Sequence, residues 1–90
     1  MKGLLPMLRL AGILLAGTGA VHFAAPQFFD PISKAAFPDN TRQWTYRDGA
    51  IEVALGLALT SKKTRFLGLA GTAGYAYWLT NRVRANRPES

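Results

Sequence analysis

Apolar residues in this chain fall into three runs that are separated by polar, proline-containing segments. The first run covers residues 4–25, about the 20 residues that an α-helix needs to cross a bilayer. The second run, residues 44–61, reaches that length only if Trp44 to Tyr46 lie inside the helix, and the third covers residues 65–80. The pattern predicts an all-α integral membrane bundle of about three transmembrane helices in a single domain over residues 1–81.

The segment between the first two runs predicts a short helix. Pro26 ends the first run, and Asp30-Pro31 is typical of an N-cap followed by proline at the first helical position. Apolar residues then recur at helical spacing up to Phe37, over a segment too short to span a membrane. We therefore predict an amphipathic helix over residues 30–37 that lies in the membrane interface. Residues 82–90 are predicted to be a basic polar tail, disordered in part.

Charge and composition support a membrane location. The chain is 49% hydrophobic and carries a net charge of +6, and its Lys and Arg residues flank the apolar runs. Nucleic-acid binding requires basic residues on one face together with exposed aromatics, so we expect no nucleic-acid partner. The numbers of Lys and Arg on the two predicted sides are nearly equal, which leaves the orientation open. The absence of cysteine excludes disulfides and thiolate metal sites.

Two alternatives to the three-helix membrane protein are open. Lys2 and Arg9 precede a short apolar core, and residues 17–20 are similar to a signal-peptide cleavage site. An uncleaved helix is favoured because two further apolar runs follow. The other alternative is a soluble, basic helical protein.

Small residues recur along all three runs and predict close helix packing, because they let helix backbones approach each other in lipid. In the first run they are spaced by four residues. In the second run, glycines share one face with Glu52, and alanines form a stripe roughly opposite. The predicted packing residues are Gly12, Ala16, Ala20, Ala24, Gly49, Gly56, Ala50, Ala54, Ala58, Gly68, Gly71 and Gly74.

Two ionisable residues, His22 and Glu52, lie inside successive apolar runs. Antiparallel threading brings the end of the first helix and the start of the second to one membrane face. Both residues then lie roughly 5 Å below the same surface at 1.5 Å per residue, so we predict that they form a pair. Such a pair either fixes helix register by hydrogen bonding or forms a ligand-binding or proton-handling site. The predicted neighbours of the pair are Thr18, Trp44, Tyr46, Tyr75, Tyr77 and Trp78.

Other chemistry has little support in the sequence. A single histidine cannot ligate haem from both sides, and His22 with Glu52 alone is too small a ligand set for a metal site. Asp30, Asp39 and Asp48 are predicted to cap helices or solvate loops. No pairing of a nucleophile with a base and no phosphate-binding loop is recognisable, so we expect no independent catalytic activity.

Several short pieces between Gly19 and Leu69 have an order and spacing that resemble the DoxX-like family of small bacterial integral membrane proteins. The pieces are Gly19-Ala20-Val21-His22-Phe23, Pro26, Phe29, Tyr46, Gly49, Glu52, Gly56, Leu59 and Thr64-Arg65. The resemblance implies a short, three-helix member of a family of four-helix membrane bundles, located as a multi-pass protein in the bacterial inner membrane. Some relatives in that family are linked to quinone-dependent sulfur oxidation.

The expected function is that of a non-catalytic subunit or accessory of a larger membrane complex, or of a homo-oligomer. Its expected partners are the lipid bilayer and either other membrane subunits or further copies of the chain. No cofactor is required by this role. The alternative is a quinone-linked redox component in which His22 and Glu52 handle protons.

Overall fold

The computed structural model describes residues 3–87, and these are almost entirely helical. The elements are α1 (Leu4–Ala24), a 3-10 turn (Pro26–Phe28), α2 (Asp30–Ala36), α3 (Thr41–Thr60) and α4 (Arg65–Ala85). The predicted all-α class is confirmed. The three long helices have 20 or 21 residues each, which corresponds to about 30 Å of helix.

Two predicted helix boundaries are wrong. The second long helix begins at Thr41 rather than at residue 44, directly after Asn40, whose positive φ of 58° reverses the chain. The last helix runs to Ala85, so the first four residues of the predicted polar tail are helical, while residues 88–90 lie outside the described range. The extension has a partner: Asn86 Nδ2 and Arg82 Nε donate to the Ala36 carbonyl oxygen at 2.9 and 3.3 Å.

Helix α3 is the centre of the fold, and its contact with α1 is made through glycines. A Cβ atom built on Gly19 would lie 2.5 Å from the Gly49 carbonyl oxygen and 2.7 Å from the Val53 nitrogen. One built on Gly12 would lie 2.5 Å from the Gly56 carbonyl oxygen. The two backbones are therefore as close as glycine allows, and any larger side chain at these positions must separate the helices.

Several residues predicted to pack lie elsewhere. Ala16, Ala58, Gly68 and Gly71 do contact a neighbouring helix, since Gly56 approaches Ala16, Gly68 approaches Ala58, and Gly71 approaches Leu55. Four alanines are exposed instead, namely Ala20, Ala24, Ala50 and Ala54. Gly74 has open space beside it. A four-residue spacing drifts by roughly 40° per step around a helix of 3.6 residues per turn, so it cannot follow one neighbour for long.

The three long helices form a flat layer. Among residues 3–87, the Cα atoms of α1 and α4 nowhere come within 8 Å of each other, because α3 lies between them. The chain measures 47 × 28 × 17 Å, and the smallest dimension is less than two helix diameters. Both faces of the central helix are therefore only partly covered by the chain itself.

Helix α2 lies across one end of this layer and is tied to α3 by polar side chains. The predicted cap role of Asp30 is wrong: its side chain makes no cap bond, and its carboxylate accepts bonds from Arg42 Nη2 (2.6 Å) and Thr45 Oγ1 (2.8 Å). Thr45 is fully buried, and its hydroxyl lies 2.9 Å from Ser33 Oγ. Because Thr45 has one hydroxyl hydrogen and donates it to Asp30, it accepts from Ser33.

Acid should loosen this attachment at a pH below the ordinary range of an aspartate. Bonds from Arg42, and then from Thr45, hold the pKa of Asp30 below its ordinary value of 3.8. A lowered folded-state pKa contributes stability that is complete above the unfolded-state value and is lost as the pH falls through the folded-state value. The stability difference between the wild type and Asp30→Asn should therefore be constant near neutral pH and shrink below pH 3.8, as measured by chemical unfolding at a series of pH values. Asp39→Asn, in the exposed loop, should match the wild type at neutral pH; an equal loss there would contradict the prediction.

The helices differ in how apolar they are. Among the described residues, only α1 is both long enough and apolar enough to pass as a membrane span by composition. The two other long helices have the length, but α3 carries Arg42, Arg47, Asp48 and Glu52, and α4 has arginines at both ends. Three apolar spans were expected, and this criterion supports one.

Candidate functional site

A cavity of about 110 Å³ lies where α2 covers the end of the helix layer. Its walls come from all four α-helices and from the turn before α2. Most of the lining side chains are apolar or aromatic, and four carry ionisable groups. The lining residues are His22, Phe29, Ile32, Ser33, Ala36, Phe37, Asp48, Glu52, Tyr75, Leu79 and Val83.

His22 is held in one orientation by its own helix and by a stacked ring. The helix places it next to Gly49, whose missing side chain leaves room for the imidazole. Its Nδ1 lies 2.8 Å from the Thr18 carbonyl oxygen, which can only accept a hydrogen bond, so Nδ1 carries a hydrogen. The ring of Phe29 stacks on the imidazole with centroids 3.7 Å apart. The remaining nitrogen, Nε2, therefore faces Glu52.

Glu52 joins three helices. Its Oε2 atom lies 3.7 Å from His22 Nε2 of α1 and accepts a 2.8 Å hydrogen bond from the Tyr75 hydroxyl of α4. The separation from His22 exceeds hydrogen-bonding distance but is within the range of an ion pair. The structure thus brings His22 and Glu52 together, and Tyr75, predicted as a neighbour, is the residue that bonds to Glu52.

The bond from Tyr75 to Glu52 should contribute measurably to stability. Tyr75→Phe removes the hydroxyl and leaves a partly buried carboxylate without this donor, so we expect a loss of about 1 to 2 kcal/mol in the free energy of unfolding. Tyr77→Phe is the matched control, since Tyr77 lies on the same helix and is 72% exposed. Denaturant titration of both variants in detergent checks the prediction, which would be contradicted by equal losses.

Asp48 is the functional candidate that the sequence reasoning missed. It was predicted to cap a helix or solvate a loop, but it lies well inside α3, lines the cavity and is only 4% exposed. Its Oδ1 atom has no hydrogen-bond partner among the described residues. The predicted helix over residues 44–61 already contained Asp48, so the error was to assign the residue to a cap or loop rather than to a buried face of this helix. The four-residue spacing from Glu52, which puts both carboxylates on one helix face, was the available signal.

The remaining predicted neighbours divide between the cavity and the outer surface. Trp44 and Trp78 surround Phe37, with ring centroids 4.2 and 5.4 Å from it, so they support the cavity wall from behind. Tyr46 stacks on Phe23 at 5.6 Å, away from the pair. The hydroxyl of Thr18 donates to the Leu14 carbonyl, and only its backbone serves His22.

A second buried charge lies at the opposite end of the layer. Arg65, at the start of α4, is 6% exposed, and its Nε and Nη2 atoms have no hydrogen-bond partner among the described residues. From the sequence, Arg65 was interpreted as one of the basic residues that flank the apolar runs. It does not line the cavity.

Metal binding has no ready ligand set. Within residues 3–87, no group of three or more His, Asp or Glu side chains has an arrangement that could hold a metal ion. The polar atoms of the cavity can instead exchange protons or form hydrogen bonds to an organic ligand.

Comparison with known families shows to which family the chain belongs. A family model described as "Domain of unknown function (DUF8561)" matches residues 10–88, nearly the whole sequence. The chain belongs to this family. The DUF8561 match includes the cavity residues from all four helices, but the family description carries no activity. No curated protein and no solved structure matches the chain.

The resemblance to DoxX-like proteins was wrong, because the family that the chain matches is DUF8561. The residues that suggested it include Gly19, Gly49 and Gly56, which lie at the contact between α1 and α3. Small residues at such spacing are required wherever two helices pack closely, so they are weak markers of ancestry. The four-helix architecture and the sulfur chemistry implied by that resemblance are withdrawn with it.

Proposed function

We propose that this DUF8561 protein is a small multi-pass membrane protein and works as a non-catalytic subunit of a larger membrane assembly or as a homo-oligomer. In this proposal α1, α3 and α4 cross the bilayer, and α2 lies at the interface. The observation that carries it is the distribution of polar and apolar side chains, which is reversed relative to a water-soluble bundle.

The described residues have almost no apolar core. The buried apolar residues are Ala36, Phe37 and Leu59, whereas His22, Ser33, Thr45, Asp48 and Arg65 are buried polar or charged residues. Large apolar side chains lie outside, up to 82% exposed at Phe66. A soluble protein of this size depends on burying such residues, while a bilayer solvates them. The exposed set includes Leu4, Leu5, Met7, Leu10, Ile13, Leu14, Val21, Phe23, Phe28, Ile32, Leu57, Phe66, Leu67 and Leu69.

The exposure of α1 argues against the soluble alternative. Only 11% of the most apolar 18-residue stretch of α1 is buried, whereas the core helix of a soluble protein is mostly buried. Most charges of the two less apolar helices are also compatible with a bilayer: Asp48 and Glu52 face the cavity, and Arg42, Arg82 and Arg84 lie near helix ends, from which long side chains reach the interface. Of the other two, Arg65 begins α4, and Arg47 lies with its guanidinium 4.9 Å from the centroid of the Trp44 ring.

The flat layer supports a partner in the membrane. Because α1 and α4 do not meet, α3 is covered on two sides only, and a further helix has room to pack along the layer. The open space beside Gly74 lets such a helix approach closely. The partner is either a second copy of the chain or another membrane subunit.

Fractionation and intact-complex mass measurement test the proposal. The protein should stay with membranes after a carbonate wash, with its N-terminal residues retained. In nanodiscs it should be found as a complex larger than one chain. Release by carbonate would contradict the membrane location, loss of residues before Ala25 would indicate a signal peptide, and a strictly monomeric protein without partners would contradict the subunit role.

The cavity favours a second candidate function, a proton-handling or ligand-binding site. His22 Nε2 and Glu52 Oε2 lie 3.7 Å apart with no hydrogen bond between them, and both residues line the cavity, so each can exchange a proton or bond to a ligand that lies in it. The alternative function predicted from the sequence names a quinone, a class that came with the withdrawn resemblance, so its retention has to be tested directly. Quinone retention by the wild type and its loss in Glu52→Gln and His22→Ala would support it, and equal retention in all three proteins would contradict it.

A further inference from the structure

We infer that the cavity binds the ammonium group of a small organic cation, held between Asp48 and Glu52. This inference rests on the second candidate function and names the chemical class of its ligand. It depends on three features of the cavity: its hydrogen-bonding inventory, its charge and its walls.

Hydrogen-bond acceptors are in excess in the cavity. The Tyr75 hydroxyl hydrogen is used by Glu52, and the His22 Nδ1 hydrogen is used by the Thr18 carbonyl. Asp48 Oδ1 has no partner among the described residues, although the residue is only 4% exposed. A buried carboxylate oxygen without a donor is costly, so a ligand that donates hydrogen bonds gains more here than one that accepts them.

The charge of the cavity points to a cation. Asp48 and Glu52 lie one helical turn apart on the same wall, and His22 is the single basic side chain among the lining residues. Even with His22 protonated, two ionised carboxylates leave the site one charge negative. An ammonium group supplies both the missing positive charge and N–H donors.

The walls favour an organic cation over a metal ion. The described residues offer no three-ligand arrangement for a metal. Apolar and aromatic side chains line the rest of the cavity instead, and they suit the alkyl part of an organic cation. The volume of about 110 Å³ is smaller than that of a drug-sized pocket, so the fitting ligand is an ammonium group with a short alkyl chain.

Titration of n-butylammonium into the protein in nanodiscs of zwitterionic lipid tests this inference. Trp44 and Trp78 both lie against Phe37 in the cavity wall, so their emission reports occupancy. The emission should change in a saturable way with n-butylammonium and not with n-butanol, its uncharged counterpart of similar shape. Empty nanodiscs provide the baseline for lipid partitioning.

Two Asp→Asn substitutions distinguish binding in the cavity from a general effect of negative charge on the protein. Asp48→Asn should weaken binding at least tenfold, while Asp39→Asn, in the exposed loop, should leave it unchanged. The same titration with Glu52→Gln, expected to weaken binding at least tenfold, decides the question if Asp48→Asn fails to fold. Equal binding of n-butanol would overturn the inference, and so would unchanged affinity in both carboxylate variants. It would also be overturned if a short-chain quinone displaced n-butylammonium equally well from the wild type and from Asp48→Asn. Quinone retention tests the second candidate function with a different ligand, and the carbonate wash tests membrane residence, so each of these ideas can fail without the others.

Discussion

Gly19→Leu should separate α1 from α3 and destabilise the protein by about 3 kcal/mol or more, the upper range for overpacking. A Cβ atom at this position would lie 2.5 Å from the Gly49 carbonyl oxygen and 2.7 Å from the Val53 nitrogen. Both are backbone atoms, which cannot rotate away as the end of a side chain can. The only relief is movement of one helix, and this would also displace His22 from Gly49.

Gly17→Leu is the matched control for this substitution. It lies on the same helix two residues earlier, and a Cβ atom there meets nothing within 4 Å. Leucine has a higher helix propensity than glycine at both sites, so any difference between the variants comes from packing. Thermal unfolding of both proteins in detergent, followed by circular dichroism, should show a large fall in the midpoint for Gly19→Leu alone. Equal midpoints would mean that the glycine contact does not hold the two helices together.

Thr45→Val should release α2 from the helix layer at a cost of about 2 kcal/mol. Valine keeps the shape of the side chain but removes the hydroxyl that donates to Asp30 and lies 2.9 Å from Ser33 Oγ. Ser33 is buried, so its hydroxyl would lose its partner away from bulk solvent, and stranded polar groups cost about 1 to 3 kcal/mol. The bond from Arg42 to Asp30 would remain, but it does not give the Ser33 hydroxyl a new partner.

Hydrogen exchange gives this prediction a local readout. The amides of α2 should exchange faster in Thr45→Val, as should that of Phe37, which directly follows α2 and donates to the Ser33 carbonyl at 2.7 Å. The amides of α1 should be unchanged. Thr80→Val is the control, because Thr80 is exposed and its hydroxyl bonds only within its own helix. Uniform acceleration across all helices would show global destabilisation rather than release of α2.

The sequence was a good guide to the helices and to one pair of residues. Apolar runs bounded by Pro26, Pro38 and the polar turn at residues 61–65 predicted where helices lie, because proline and clustered charge interrupt helices wherever they occur. Antiparallel threading with a fixed rise per residue was sufficient to bring His22 close to Glu52. Local rules and chain geometry determine these features, so no knowledge of tertiary packing was needed.

Features that depend on the exact rotation of helices were not predictable in the same way. The stripe of small residues at Gly12, Ala16, Ala20 and Ala24 turns by roughly 120° over its length, whereas Gly12 and Gly19 are only about 20° apart on the helix. The contact with α3 therefore follows the second spacing. The four-residue spacing from Glu52 places Asp48 on the same helix face, but whether that face is buried depends on how α2 and α4 pack on α3.

The central position of α3 has a consequence for how the protein is made. Its tightest partner, α1, precedes it in the chain with α2 between them, while α4 follows directly. During synthesis from the N-terminus, α1 is finished before any of α3 exists, so its glycine face lacks the helix on which it packs. Assembly of the layer therefore waits for α3 to emerge, and the cavity, which also needs Tyr75, is completed only after α4 has been made.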